Sequence, residues 1–237
     1  MARFRIVLKT LLALAACGAC LPLQAAARAT QPVAGPAPIA HFHPQGKPPA
    51  PATKALQHVV RSSLPFEDTR DFEESKRGFI AAPGYAEIRT AAGDSAWQFG
   101  GYAFLDTRQD FDSIHPSLQR QAVLNAQYGL FEVVPGRIWQ LRGFDISNLT
   151  LVRGDTGWIV FDPLVSQETA AAALAFANDR LGARPVVAVV YSHSHVDHFG
   201  GVRGVIDEAD VKAGKVQVIA PAGFMQAAIA ENVYAGN

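Results

Sequence analysis

His193, His195, Asp197 and His198 fall within six consecutive residues, and three of the chain's seven histidines are among them. Imidazole nitrogen and carboxylate oxygen are donors that Zn2+ accepts. In an extended segment side chains i and i+2 project to the same side, so His193 and His195 can grip one ion together. A tight turn after them brings Asp197 and His198 round to a second ion nearby. Two ions about 3.5–4 Å apart can share a bridging hydroxide, which is the chemistry of metal-assisted hydrolysis. Average residue usage yields this constellation by chance in roughly one of several thousand chains of this length. The bland alternative is a surface loop that happens to hold three histidines.

The elements around the loop favour the metal reading. Residues 185–191 (PVVAVVY) form a continuous apolar, β-branched run that reads as a strand buried on both faces. The histidine loop follows at its C-terminal end, where α/β proteins place ligands. Gly200 and Gly201 come next, and they let backbone approach the metal site closely. Asp162 ends an earlier strand, 158–161, and precedes Pro163. Its carboxylate could orient a ligand histidine or the loop from behind, or it could be a simple boundary Asp, since Asp-Pro is a common turn. Glu231 is a lone Glu at a helix end and reads as solvated.

Strands are expected at 130–134, 137–141, 148–153 and 158–161, punctuated by Gly136, Gly143 and the turn 154–157. A helix over 166–181 follows, with Ser166 as N-cap and Gly182 as its stop. Another strand, 215–220, and a helix, 221–230, come after the histidine loop. A meander that gives way to alternating strands and helices predicts a layered α/β (α+β) domain. Upstream the pattern is mixed: a short helix at 55–64, strand material at 96–105 broken by a Gly pair, and a helix from Pro116.

The N-terminus reads as an export signal over 1–29. Arg3, Arg5 and Lys9 precede an apolar stretch to about Leu23, and Ala27-Arg28-Ala29 offers a cleavage site. Residues 14–17 (LAAC) also resemble a lipobox, which would make Cys17 the lipidated first residue. Cys17 and Cys20 both lie inside the signal, so a mature chain has neither disulfide nor thiol nucleophile. Cleavage removes four basic residues and no acidic ones from a chain with 21 of each, leaving it mildly acidic. A nucleic-acid partner therefore has no electrostatic support. No span is expected to cross a membrane after signal removal, and the location is periplasmic or secreted. Residues 30–53 carry seven prolines and read as a linker, with His41 and His43 on a polar tether rather than in a site. Residues 54–128 form an N-terminal region, and 129–237 the beginning of the main domain.

The stretch 191–202 (YSHSHVDHFGGV) resembles the metal motif of the metallo-β-lactamase superfamily. More narrowly, it is similar to the bacterial linear alkylsulfatases. Residues 71–73 (DFE), 77–81 (RGFIA), 129–133 (GLFEV), 142–148 (RGFDISN), 154–160 (GDTGWIV) and 220–225 (APAGFM) join it in that narrower match. The resemblance runs from about residue 66 onward. It implies an αββα sandwich, here in its N-terminal half only, and two zinc ions. His193 and His195 would bind one zinc, and Asp197 and His198 the other. Asp197 would also serve in catalysis, and Asp162 would match the superfamily's supporting aspartate. The implied reaction turns an alkyl sulfate ester, a small amphiphilic substrate, into an alcohol and inorganic sulfate. A homodimer is implied for the full-length protein.

No histidine follows His198, and 39 residues remain after it. The family's later ligands, its sulfate-binding residues, its dimerisation region and its sterol-carrier-like domain have no counterpart in these residues. The chain accordingly reads as an N-terminal fragment, expected to bind metal weakly, to give no turnover, and to leave its sheet exposed along one edge and face. Two alternatives stand beside the alkylsulfatase. One is another hydrolase of the same fold, acting on a lactone, thioester or β-lactam. The other is a non-catalytic exported protein that binds metal or amphiphiles.

Overall fold

The computed structural model describes residues 48–107 and 111–235. The export signal, Cys17, Cys20, His41 and His43 lie outside the described residues. Among the described residues, no helix is long and apolar enough to cross a membrane.

Helix α1 (Pro51–Ser63) begins inside the proline-rich stretch, because Pro51 occupies a first-turn position where its missing N–H costs nothing. Helix α2 (Arg70–Ser75) and strand β1 (Phe79–Ala81) follow. The expected strand at 96–105 is confined to Ser95–Gln98 (β3), paired with Glu87–Arg89 (β2) as a separate hairpin. The glycine pair then turns the chain into a short 3-10 helix, Ala103–Thr107. Helix α3 spans Pro116–Asn125, and His115 caps it by accepting the Ser117 N–H on Nδ1.

A seven-stranded sheet organises the rest, in the order β1-β4-β5-β6-β7-β8-β9. Strands β4 (Gly129–Val134), β5 (Ile138–Arg142), β6 (Leu149–Arg153) and β7 (Trp158–Phe161) form an antiparallel meander. Helix α4 (Gln167–Leu181) is the crossover that makes β8 (Val186–Val190) parallel to β7, and β9 (Gln217–Ile219) is parallel to β8. The two-residue alternation along β5, β6 and β7 buries Trp139, Leu141, Leu149, Leu151, Trp158 and Val160 in one core. Helix α4 contributes Ala170, Ala173, Phe176 and Ala177 to that core, and the β2–β3 hairpin adds Ile88.

Strand β8 departs from the expectation. Val186 and Val189 are buried, whereas Val187, Ala188 and Val190 are only partly covered, so the strand is packed on one face. An unbroken apolar run marks a strand that some surface can cover, without stating that both faces are covered. Strand β9 is exposed throughout, with Val218 and Ile219 open. Helix α5 (Glu208–Lys212) and helix α6 (Phe224–Ile229) flank it in sequence.

Candidate metal centre

The histidine loop leaves the sheet at the C-terminal end of β8. Tyr191 still donates its N–H to Ile219 O at 2.9 Å, which holds the loop's base to β9. His195 is extended (φ −69°, ψ 136°), and Val196–His198 then form a single 3-10 turn. This is the extended-then-tight-turn path that the spacing requires. It brings the imidazoles together, with ring centroids 4.6 Å apart for His193 and His195, and 4.1 Å for His193 and His198.

Gly200 and Gly201 make a close approach to the segment after β7. A Cβ on Gly201 would lie 2.2 Å from Pro163 O and 2.5 Å from Ser166 O, and one on Gly200 would lie 2.3 Å from Val165 O. That contact lets Gly201 N–H donate to Leu164 O at 2.9 Å, pinning the loop against the β7–α4 connection.

Asp162 stands on that connection, with its carboxylate turned to the loop. Its Oδ1 accepts the Ser192 N–H at 2.7 Å, and its Oδ2 accepts the Ser192 hydroxyl at 2.6 Å and His198 Nδ1 at 3.0 Å. Both Asp162 (φ 54°) and Leu164 (φ 62°) adopt left-handed backbone, which non-glycine residues adopt at a cost of order 1–3 kcal/mol each. Burial of Leu164 and the bonds to Asp162 hold the strained turn in place.

The hydrogen bonds also fix where the protons sit. Ser192 gives its hydroxyl hydrogen to Asp162, so at 2.8 Å it can only accept from His193 Nδ1–H. His198 likewise donates Nδ1–H to the same carboxylate. With Nδ1–H engaged on both rings, Nε2 is the nitrogen through which either neutral imidazole would hold a metal. His198 Nε2 lies 3.2 Å from Asp197 Oδ2. The donor set therefore fits a divalent cation such as zinc in the kind of its donors. Among the described residues, no three His, Cys, Asp or Glu side chains already converge on one ion position.

Glu231 corrects the reading of it as a solvated helix end. Helix α6 runs into a π-helical turn, Ala230–Tyr234, and Phe224 of α6 stacks on Tyr191 (5.3 Å) and packs on Phe199 (5.2 Å). Burial in this aromatic group pushes the Tyr191 phenol above its usual range. The packing carries the Glu231 carboxylate to Ser194 Oγ (3.2 Å to both oxygens) and to 3.6 Å from His195 Nε2. The signal available in the sequence was only the aromatic spacing of Tyr191, Phe199 and Phe224. Ser192 was also passed over, though it adjoins His193. A cavity of about 720 Å3 lies elsewhere, lined by Phe66, Phe72 and Arg120 among others and by no residue of the histidine loop.

The loop at the C-terminal end of β8, with an aspartate behind it, sits in a fold of metallo-β-lactamase type. Residues 142–237 match the family model described as the Metallo-beta-lactamase superfamily. More narrowly, the chain is similar to alkylsulfatases. It is 50% identical over 190 residues to an (R)-specific secondary-alkylsulfatase of Pseudomonas sp, covering 80% of this chain and 28% of that protein. Identity is 49% over 191 residues to a linear primary-alkylsulfatase of Pseudomonas sp, with the same coverage of 80% and 28%. Against the alkyl/aryl-sulfatase BDS1 of Saccharomyces cerevisiae it is 43% over 187 residues, 79% of this chain and 29% of that one. The solved structure of the inverting sec-alkylsulfatase Pisa1 from Pseudomonas sp. superposes with a TM-score of 0.75 at 50% identity, over 80% of this chain and 30% of Pisa1. The chain thus spans under a third of the length of the curated relatives it matches.

Proposed function

We propose that the protein is an exported, zinc-dependent hydrolase of alkyl sulfate esters. The observation that carries the reading is the hydrogen bonding set by Asp162, which engages Nδ1 of His198 directly and of His193 through Ser192 and so leaves Nε2 as the nitrogen for a metal on both. Similarity to alkylsulfatases over four-fifths of the chain supports the substrate class. His193 and His195 would hold one zinc and Asp197 with His198 the second, with Asp197 the residue closest to the reaction. Bound zinc would supply a water acidic enough to attack near neutral pH, and positive charge to offset that developing on the sulfate oxygens. Asp162 and Ser192 keep the imidazoles in the ligating tautomer, and Glu231 faces His195 from the far side. The 237 residues supply these donors from one loop, so by themselves they bind metal weakly and turn over no ester. Catalysis belongs to the protein at its relatives' length, there a homodimer.

The test is sulfate release from dodecyl sulfate by the zinc-loaded protein at that length, read by ion chromatography beside a lactone, a thioester and a β-lactam. Faster turnover of any of those three moves the protein to another hydrolase of the fold. Absence of sulfate with both metals bound removes the proposal. His195→Ala is expected to abolish metal binding and turnover together.

A further inference from the structure

Behind the loop lies a second carboxylate, Asp145, 4% exposed and so buried in the body of the domain. Its Oδ1 accepts the Ser147 N–H at 2.9 Å, and its Oδ2 accepts the Val165 N–H at 2.9 Å and the Thr169 hydroxyl at 2.8 Å. These donors are uncharged. Burying a carboxylate on neutral donors is expensive unless its oxygens are met by several fixed hydrogen bonds. The nearby start of α4 helps to hold it. Ser166 caps that helix by accepting the Thr169 N–H, and Thr169 lies in its first turn, where the helix dipole favours an anion.

The partners of Asp145 lead to the site by two routes. Val165 belongs to the connection that carries Asp162 and the strained Leu164, so one oxygen of Asp145 fixes the platform on which Asp162 stands. Ser147 is anchored by its N–H to the other oxygen. Its hydroxyl lies 3.4 Å from Asp145 Oδ1 but only 2.5 Å from Asp197 O, so it donates to the carbonyl of the loop aspartate. The two supports of the histidine loop, Asp162 at His198 and Ser147 at Asp197, thereby converge on one carboxylate.

We propose that Asp145, acting through Ser147, is a positioning residue for the metal loop, setting the backbone at Asp197 relative to the imidazoles held by Asp162. The inference rests on the reading of 193–198 as metal ligands. Ser147→Ala removes the bond to Asp197 O alone. Asp145→Asn keeps the shape of the side chain but turns a donor toward one of the groups that now donate to it. Ser147→Thr retains the hydroxyl, and Ile146→Ala, at a side chain 73% exposed in the same loop, is the neutral control.

The full chain of each variant is titrated with Zn2+ against a chromogenic chelator and with Co2+ while the visible absorption is recorded. Melting is followed without metal. Ser147→Ala and Asp145→Asn are expected to weaken Zn2+ binding 10–100-fold, the usual effect of losing an outer partner of a ligand, and to shift the Co2+ bands. Ser147→Thr restores both readouts, and Ile146→Ala changes neither. A lowered melting temperature with unchanged affinity and unchanged Co2+ bands makes the network a structural cross-link and overturns the proposal. Should Ser147→Ala fail to fold, Asp145→Asn decides by the same two readouts. If the unsubstituted chain binds neither ion, the metal reading itself fails and takes this inference with it. If it binds both and the variants match it, only the inference fails.

Discussion

Replacing Asp162 with Asn should separate the stability of the loop from its capacity to bind metal. The side chain is 15% exposed and holds three bonds, to Ser192 N, Ser192 Oγ and His198 Nδ1. A hydrogen bond to a charged acceptor contributes about 1 kcal/mol more than one to a neutral acceptor. Three bonds so weakened amount to about 3 kcal/mol, and the lower desolvation of an amide offsets part of it. We expect a net loss of about 2 kcal/mol, or a fall in melting temperature of about 4–8 °C for a domain of this size. The protons respond more sharply. The Asn amide can keep its oxygen on Ser192 N–H, which puts its NH2 where Oδ2 stood. Ser192 must then accept that N–H and give its own hydrogen to His193 Nδ1, while His198 Nδ1 must also become an acceptor. Both rings move their proton to Nε2 and lose the lone pair that ligation needs. The assays are metal-free thermal denaturation, Zn2+ titration, and 15N NMR of the imidazoles to assign the tautomers. Expected are the modest melting shift, a loss of Zn2+ affinity of at least 10–100-fold, and Nε2–H on both histidines. Unaltered tautomers with unaltered affinity would refute the role given to Asp162, whatever the melting temperature does.

Two further predictions rest on separate features. Gly201→Ala forces a Cβ to within 2.2 Å of Pro163 O, where only backbone can give way, so the loop should detach from the β7–α4 connection. A loss of about 2–4 kcal/mol by urea denaturation is expected, and Gly201→Ala melting like the parent would show the close approach to be unnecessary. The Asp68 carboxyl, bonded by the Arg70 side chain and backbone, is held down to about 2. Its folded value lies below the unfolded one, so its contribution is complete above the unfolded value and fades as pH falls through about 2. The pair is exposed, so Asp68→Asn should leave the neutral-pH melting temperature unchanged within error, while carboxyl 13C NMR of the parent shows the low midpoint.

The strands around the site were legible because their burial alternates with the period of the residues. Trp139 and Leu141, Leu149 and Leu151, Trp158 and Val160 point inward at two-residue spacing, and turns separate them. The helix over 166–181 was legible through its cap, and Ser166 does accept Thr169 N–H. What failed was whatever depends on distant partners. Strand β3 ends at Gln98, and Trp97 beside it donates to Gly143 O across 46 residues, a contact no local pattern signals. The one-sided burial of β8 depends likewise on what covers the sheet, not on the composition of the strand.

At the site the same division separates the candidate donors from their supports. Four donors can be read from spacing because they share one short segment with a required path, extended and then turned. Their supports come from three other segments, at Ser147, Asp162 and Glu231, each brought in by packing. Local propensity points away from what one of these segments does: an Asp before Pro163 favours an ordinary turn, yet Asp162 sits at φ 54° and Leu164 follows at φ 62°. Such backbone persists only where the surroundings over-determine it. Here they do, through Gly201 N–H on Leu164 O, Val165 N–H on Asp145 and Val190 O accepting Asp162 N–H. Each constraint is weak alone, and together they aim one carboxylate at Ser192 and His198. Gly200 and Gly201 make room for this strained turn, and the turn places the carboxylate that engages Nδ1 of His198 directly and Nδ1 of His193 through Ser192.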